Sequence, residues 1–262
     1  MEDSKVEKLI SSVIEKEAAN AKTATHYRQP LVGFTEVRND DFYRLREIVG
    51  THHLLPEDIL EGAQSLVGFF LPFSEDVVDA NLRSDYIARE WVVAYRETNN
   101  LISHICEVLV HTLNEAGIEA AFEQPTYDFD KRKLVARWSH KSIARLIGLG
   151  SFGLNKLLIT DAGCAGRFGS LLVSTKLNPT PAEQGERCLY FYDKSCKLCI
   201  ERCPVNAIKA DGSFDGESCH QYLKKVDTYF NDVPSTEACG KCSVGLPCSL
   251  HSGVRTMKTD SK

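Results

Sequence analysis

Near the start of the chain, Val6, Leu9, Ile10, Val13 and Ile14 fall at helical spacing and predict an amphipathic helix, with Ser4 and Glu7 placed as a capping box. Residues 65–73, SLVGFFLPF, break that rhythm. A continuous apolar and aromatic run halted near Pro72 predicts a buried strand. Helical spacing returns from about Asp85 to Ala116, where Trp91, Ala94, Leu101, Ile105, Val108, Leu109 and Leu113 share a face and Gly117 supplies a stop. GIEAAFE then predicts a strand, as do KLLIT at 156–160 and GSLLVST at 169–175, with a glycine-rich turn between the last two. Residues 1–180 therefore read as a mixed α+β body.

The pattern changes at LNPTPAEQGERC, residues 177–188, whose prolines, glycine and polar side chains mark a boundary. The stretch 181–262 beyond it holds eight of the ten cysteines. Apart from a loose echo between two cysteine clusters, no internal repeat is visible.

Composition narrows the chemistry. With 262 residues, 43% hydrophobic and 26% charged, the chain can bury a full core. No apolar run approaches the roughly 18 residues that span a bilayer, and MEDSKVEKLI opens on charge without an apolar leader, so a cytoplasmic location is expected. In that compartment thiols stay reduced, which makes the cysteines metal ligands, reactive thiols or core residues rather than disulfides. The formal net charge is −5, with 21 basic and 27 acidic residues before Cys188 and 10 and 9 after it. Neither part carries the basic excess of a nucleic-acid-binding domain. One local exception is residues 130–145, where Arg137, Lys141 and Arg145 would share a helix face, either as a solvated surface or as an anion contact.

SCKLCIERCP, residues 195–204, reproduces the last three cysteines and the proline of the bacterial ferredoxin run, whose final cysteine ligates the other cluster of a pair. VNAI after it fits the short turn and strand of such a module. Paired CxxC units of a zinc site usually stand closer together than Cys199 and Cys239 do, so two 4Fe-4S clusters are favoured over zinc. The first cysteine of the run would fall at Asp193. Either Cys188 replaces it through a longer loop or Asp193 supplies oxygen, and iron's preference for thiolate favours Cys188, with a buried thiol as its plainer role. Crossing the runs in ferredoxin fashion groups Cys188, Cys196, Cys199 and Cys248 on one cluster and Cys203, Cys219, Cys239 and Cys242 on the other. Cys106 fits a helical core; Cys164, in a glycine-rich turn, is either a packing thiol or a ligand or reactive group.

GLGSFG, residues 148–153, matches GxGxxG, but a helical pattern precedes it and a strand follows, the reverse of a dinucleotide site, and no acidic residue stands near position 173. The glycines allow close approach by a flat cofactor or by a neighbouring strand.

ILEGAQSLVGFFLPFS, SHKSIARLIGLGSFGLNKLLIT, GRFGSLLVST, CKLCIERCPVNAI, SCHQYL and CGKC occur in the order found in epoxyqueuosine reductases, and the pattern is similar to the catalytic part of reductive dehalogenases. This resemblance implies a cobalamin-binding body with a nitroreductase-like sheet, residues 1–180, followed by a ferredoxin-like module with two 4Fe-4S clusters, residues 181–262. It places a base-off corrin between them, beside Gly148, Gly150, Gly153, Asn155, Lys156, Gly169 and Ser170. It also implies clusters that relay single electrons from a low-potential donor of the ferredoxin or flavodoxin type. The acidic proton donor of epoxyqueuosine reductases has no counterpart, since Leu134 stands at its position, and His140 and Lys141 replace a Glu-Arg pair. His140, with an ordinary pKa near neutral pH, is then the expected acid, unless it is a satisfied structural histidine; Tyr127, Asp128 and Asp130 are outside candidates. Few residues follow Cys248, and with no basic surface tRNA is not the favoured partner. The expected function is a cobalamin-dependent oxidoreductase acting on an unidentified substrate. The alternatives are an electron-transfer protein that docks a partner enzyme without chemistry of its own, and tRNA epoxyqueuosine reductase activity itself.

Overall fold

A computed structural model describes residues 3–125, 129–130, 135–181 and 185–254, and side chains from Lys5 onward except at 126–135. The body begins with α1 (Asp3–Ala19), β1 (Leu31–Glu36), α2 (Asn39–Val49), α3 (Pro56–Ile59), β2 (Ser65–Pro72), α4 (Glu75–Arg83) and α5 (Arg89–Glu115). It continues through β3 (Ala120–Ala121), β4 (Phe129–Asp130), β5 (Val135–Ala136), α6 (His140–Ile147), β6 (Gly150–Phe152), β7 (Leu158–Thr160) and β8 (Gly166–Val173). The cysteine-rich part adds α7 (Leu189–Asp193), α8 (Leu198–Glu201), α9 (Gly216–Tyr229) and a 3-10 turn at Lys241–Ser243.

Four strands form an antiparallel sheet in the order β1-β2-β8-β3. Every residue of β2 is buried, because β2 pairs on both edges and is covered on both faces. The period-two alternation of a strand divides its side chains. Val67, Phe69 and Leu71, with Leu171 and Val173 of β8, pack under Val6, Ile10 and Ile14 of α1 and Ile102, Ile105 and Leu109 of α5. Leu66 and Leu172 pack on the opposite face against Ile143, Ala144 and Ile147 of α6. Full burial of one such aliphatic or phenyl group is worth about 1.5–3 kcal/mol, so this two-sided sheet is the main stabilising feature. The expected helices at both ends of this core are present. α1 already begins at Asp3, so Ser4 lies inside it, and Gly117, at φ 76°, follows α5.

Cys106 lies in the α5 core, and burial raises its thiol pKa strongly. The strand expected after Gly117 shrinks to the two residues of β3. Residues 130–145 do not form one helix. Val135–Ala136 is strand, α6 starts only at His140, and the exposed Arg137 shares no helix face with Lys141 and Arg145. The cysteine-rich part is built of short helices and turns, and among the described residues its only extended pairing is an isolated Ile208–Phe214 bridge.

This part does not hang from the body on a linker. Phe73, Val77, Trp91 and Val92 of the body share one core with Val226, Phe230, Ala238 and Val244. Arg28 donates to the carbonyls of Phe73, Ala162 and Leu250, at 2.7–2.9 Å. Asn81 Nδ2 donates to the Cys239 carbonyl and Lys241 Nζ to the carbonyls of Asn81 and Ser84. Gly240, at φ 69°, lies flat on Trp91, where a Cβ would stand 2.1 Å from the indole.

Candidate active site

Two sets of thiols meet where α7, α8 and the 239–250 segment fold against the β6–β7 hairpin. Cys188, Cys196, Cys199 and Cys248 line one tight cavity with Leu154, Ile159 and Leu246. Burial pushes the Cys199 thiol up to about 12, and Cys248, Cys188 and Cys196 push in the same direction, so the four lie within each other's electrostatic reach. Asp193 lies apart from this group: it is exposed, and its Oδ1 accepts the Ser195 amide at 2.9 Å. Cys203, Cys219, Cys239 and Cys242 form the second group. Burial raises Cys239 to about 11, with Cys219 and Cys203 adding to it against an opposing Lys241 amide, and the Cys242 thiol is raised by burial and then by Cys239, Cys219 and Cys203. Cys199 also acts on Cys242, so the two groups adjoin.

The sulfurs meet backbone donors as well as each other. Ala207 N–H donates to Cys203 Sγ at 3.2 Å, and the Leu198 amide lowers the Cys196 pKa against its burial. Such N–H···S bonds favour thiolates, while dry surroundings hold the thiols protonated until a cation replaces the protons. Among the described residues, no three His, Cys, Asp or Glu side chains are gathered tightly enough for a lone metal ion. A cubane carries its own sulfides and asks one thiolate of each iron corner, a wider arrangement.

Beside the two sets opens a cleft of about 490 Å³, within the size range of small-molecule sites, lined by Trp138, His140, Lys141, Leu158, Cys164, Arg167 and Phe168 among others. α6 delivers His140 and Lys141 from its first turn, and β8 delivers Arg167 and Phe168. Ser170, on the β8 face shared with Phe168 and Leu172, ties this wall together. Trp138 Nε1 donates to its Oγ at 3.0 Å, and that oxygen lies 2.8 Å from His140 Nδ1. The indole N–H can only donate, so the Ser170 oxygen accepts from Trp138 and bonds Nδ1 either through its own proton or through its second lone pair. Nε2 makes no hydrogen bond of good geometry, although the backbone of Glu123 acts on the ring and favours its charged form. Burial, and then the charge of Arg167, lower the His140 pKa to about 4, so the ring is neutral at pH 7. This lowered pKa runs against the expectation of an acid titrating near neutral pH; what His140 offers at pH 7 is a neutral ring. Tyr127 and Asp128 lie outside the described residues, as does the side chain of Asp130.

Protein fills most positions expected to flank a corrin. Gly148 ends α6 in the left-handed region. A Cβ on Gly150 would stand 2.4 Å from the Ile159 carbonyl oxygen, one on Gly153 2.7 Å from Asn155 Oδ1, and one on Gly169 2.3 Å from Phe69 on the α5 side of the sheet, away from the cleft. A neighbouring strand, not a flat ligand, is what Gly150 admits. Asn155 Nδ2 donates to the Cys242 carbonyl at 2.8 Å and Lys156 Nζ to the Gly212 carbonyl at 2.7 Å, so both stitch the body to the cysteine-rich part. Within this set Ser170 bonds His140, Asn155 Nδ2 also donates to Cys164 Sγ at 3.9 Å, and the Lys156 carbonyl accepts from Lys141 Nζ at 3.3 Å, so three of its members act on cleft residues. Trp138, Arg167 and Phe168 were not singled out by sequence reasoning; the arginine in GRFG, opening a buried strand, was the available signal.

Comparison with known proteins fits this geometry. The NosR family model matches residues 192–240. An epoxyqueuosine reductase of Staphylococcus aureus (strain NCTC 8325 / PS 47) is 25% identical over 129 residues, 47% of this chain and 32% of that protein. The structure of epoxyqueuosine reductase from Streptococcus thermophilus superposes with a TM-score of 0.55 at 16% identity, covering 92% of this chain and 66% of that one. Epoxyqueuosine reductase with an epoxyqueuosine-modified tRNA-Tyr stem loop gives 0.59 at 16% identity, covering 93% and 66%. A reductive dehalogenase whose structure suggests a mechanism for B12-dependent dehalogenation gives 0.58 at 16% identity, covering 88% and 31%. The chain thus spans about a third of the curated relative and just under two thirds of the reductase structures. At these identities the structural likeness carries the fold alone, and the curated match makes the chain similar to an epoxyqueuosine reductase over 129 residues.

Proposed function

We propose that this epoxyqueuosine reductase-like chain is an oxidoreductase in which two 4Fe-4S clusters feed single electrons to a reaction in the Trp138–Arg167 cleft, with cobalamin as the reacting cofactor. The observation that carries the reading is the division of eight cysteines into two adjoining groups of four, with Cys164 of the cleft beside Cys248 of one and Cys242 of the other. Cys188, Cys196, Cys199 and Cys248 would hold one cluster, and Cys203, Cys219, Cys239 and Cys242 the other, each thiolate replacing a proton with iron. For the corrin the fit is partial. The cleft offers an apolar wall in Trp138, Leu158 and Phe168 and lies against the first thiol group, while Gly150, Gly153 and Gly169 are closed off by protein. When bound, cobalamin supplies a cobalt centre that reduces the substrate.

The chain's own residues have definable parts in this scheme. His140, held by Ser170, presents a neutral imidazole at the cleft wall as a hydrogen-bonding group and proton relay. Lys141 and Arg167 give that wall a positive character, and no described carboxylate lines it. The substrate stays unassigned, and tRNA is one candidate, since a related reductase is seen with a tRNA stem loop. The test is anaerobic purification with iron, sulfide and corrinoid measured per chain, followed by cob(II)alamin titration under electron paramagnetic resonance. Eight irons with base-off cobalamin binding are expected. Eight irons without corrinoid binding would leave an electron carrier, and zinc or no sulfide would end the redox reading.

A further inference from the structure

His53 is fully buried, and its two ring nitrogens have partners of opposite kinds. Nδ1 lies 2.8 Å from the Leu54 carbonyl oxygen, which can only accept, so Nδ1 carries a proton. The Ser139 amide, which can only donate, reaches Nε2 at 3.2 Å, so Nε2 carries none. The two bonds select one neutral tautomer, since neither the other tautomer nor an imidazolium could make both. Ser139 is the residue on which α6 starts: its carbonyl accepts the amides of Ser142 and Ile143, at 2.8 and 2.9 Å, while its own amide turns to His53. In a capping box a Glu or Gln at the third helical position would accept that amide. Here the position is Ser142, whose hydroxyl is engaged with Ser139 Oγ at 2.8 Å, and an imidazole 86 positions away takes the role. The neighbouring residues are held from the same side. The Leu54 amide donates to the Arg137 carbonyl at 2.8 Å, and the His53 ring packs on Trp138 with centroids 5.3 Å apart, Trp138 in turn stacking on Phe42 at 5.6 Å. One dipeptide, His53–Leu54, thus pins Arg137, Trp138 and Ser139 in succession, and His140 follows directly.

We propose that His53 is a positioning residue of the cleft: as a neutral acceptor it fixes the start of α6 and with it the pose in which His140 meets the cleft. The inference rests on the reading of this cleft as the reacting site. A dry donor without a partner is unfavourable, so loss of the ring nitrogen would pull the Ser139 amide toward another acceptor and carry His140, the next residue, with it. Ser170 Oγ, which joins Trp138 at 3.0 Å to His140 at 2.8 Å, passes on any shift of the Trp138 ring by a second route.

The experiment is nuclear magnetic resonance on the isotope-labelled, iron-loaded full chain with its clusters kept oxidised, for wild type, His53→Phe and His53→Gln. Phenylalanine keeps a ring in the aromatic stack without an acceptor, and glutamine keeps an acceptor, its Oε1, without the ring. Long-range proton–nitrogen correlations of the wild type at pH 7 should place the His53 proton on Nδ1; a proton on Nε2, or on both nitrogens, would overturn the proposal without any variant. In His53→Phe the Ser139 amide should exchange with solvent about tenfold faster and the His140 ring resonances should move, while the amides of residues 143–147 keep their rates. His53→Gln should restore both signals. Unmoved His140 resonances in His53→Phe would overturn the proposal, as would equal acceleration throughout α6 in both variants, which would mark packing alone. Iron, sulfide and corrinoid counts on the same wild-type sample judge the cofactor reading separately, because tautomer and exchange rates are read whether or not corrinoid binds.

Discussion

Burial makes His140 a weakness in acid. Its pKa falls from the ordinary 6.5 to about 4 in the folded chain. Above pH 6.5 both folded and unfolded states hold a neutral ring. Between pH 6.5 and about 4 the unfolded chain takes up a proton that the folded one refuses, so stability falls as pH falls through that window and flattens below it. From pH 7.5 to 5.0 the loss attributable to this side chain is about 2 kcal/mol. His53, also lowered chiefly by burial, adds in the same direction in every variant. His140→Asn should therefore show a shallower decline of denaturant-derived stability over that range than wild type, by about 2 kcal/mol; parallel curves would mean the ring is not held neutral. A second residue-scale outcome concerns the first thiol group. Cys188→Ala should remove about four irons per chain while Asp193→Ala, whose carboxylate is spent on the Ser195 amide, leaves the iron count unchanged. Cys203→Ser should strip the other group only, and loss of the first cluster's signal in that variant would refute the crossed grouping.

At the scale of elements, α6 carries His140 and Lys141, and its seat on the sheet depends on two glycines paired across β1 and β2. Gly33 faces Gly68 in the register, and a Cβ at either would lie 2.7 or 2.5 Å from Ile147 of α6. Gly68→Ala should cost about 1–3 kcal/mol by lifting α6. Ile147→Val removes the offending Cδ1, so the double variant should recover part of that loss, a coupling of at least ~0.5 kcal/mol in a denaturation cycle. Strict additivity would show that α6 does not rest there. This seat was invisible in the sequence, because nothing local says that glycines thirty-five positions apart will face each other under one isoleucine. α1, β2 and α5 were legible because each buries a face or a whole run that repeats in the chain. The helix expected across Arg137, Lys141 and Arg145 failed because charge spacing fits a helix wherever one is drawn, while Val135 and Ala136 were already committed to a strand.

At the scale of the whole molecule, the cysteine spacing alone proposes a division of the eight thiols, and the cysteines that act on Cys199 and on Cys239 fall within their proposed groups. The cleft was less legible: Trp138, Arg167 and Phe168 meet only through folding of distant segments. A boundary near residue 180 likewise follows composition rather than packing. Trp91, Phe73 and Val77 of the body are covered by Val226, Phe230 and Val244, and Gly240 lies against the Trp91 ring. A fragment 1–180 would uncover this cluster and leave Asn81, with both its carbonyl and its side-chain amide stripped of partners at Lys241 and Cys239, facing solvent. Uncovering Trp91 and three or four aliphatic neighbours forfeits on the order of 5–10 kcal/mol, comparable to the whole stability of a domain. The fragment should therefore bind a hydrophobic dye and melt without a cooperative transition, while the full chain melts sharply. A fragment that melts cooperatively at the temperature of the full chain would show instead that the body is an independent domain and that electrons reach the cleft across a movable joint.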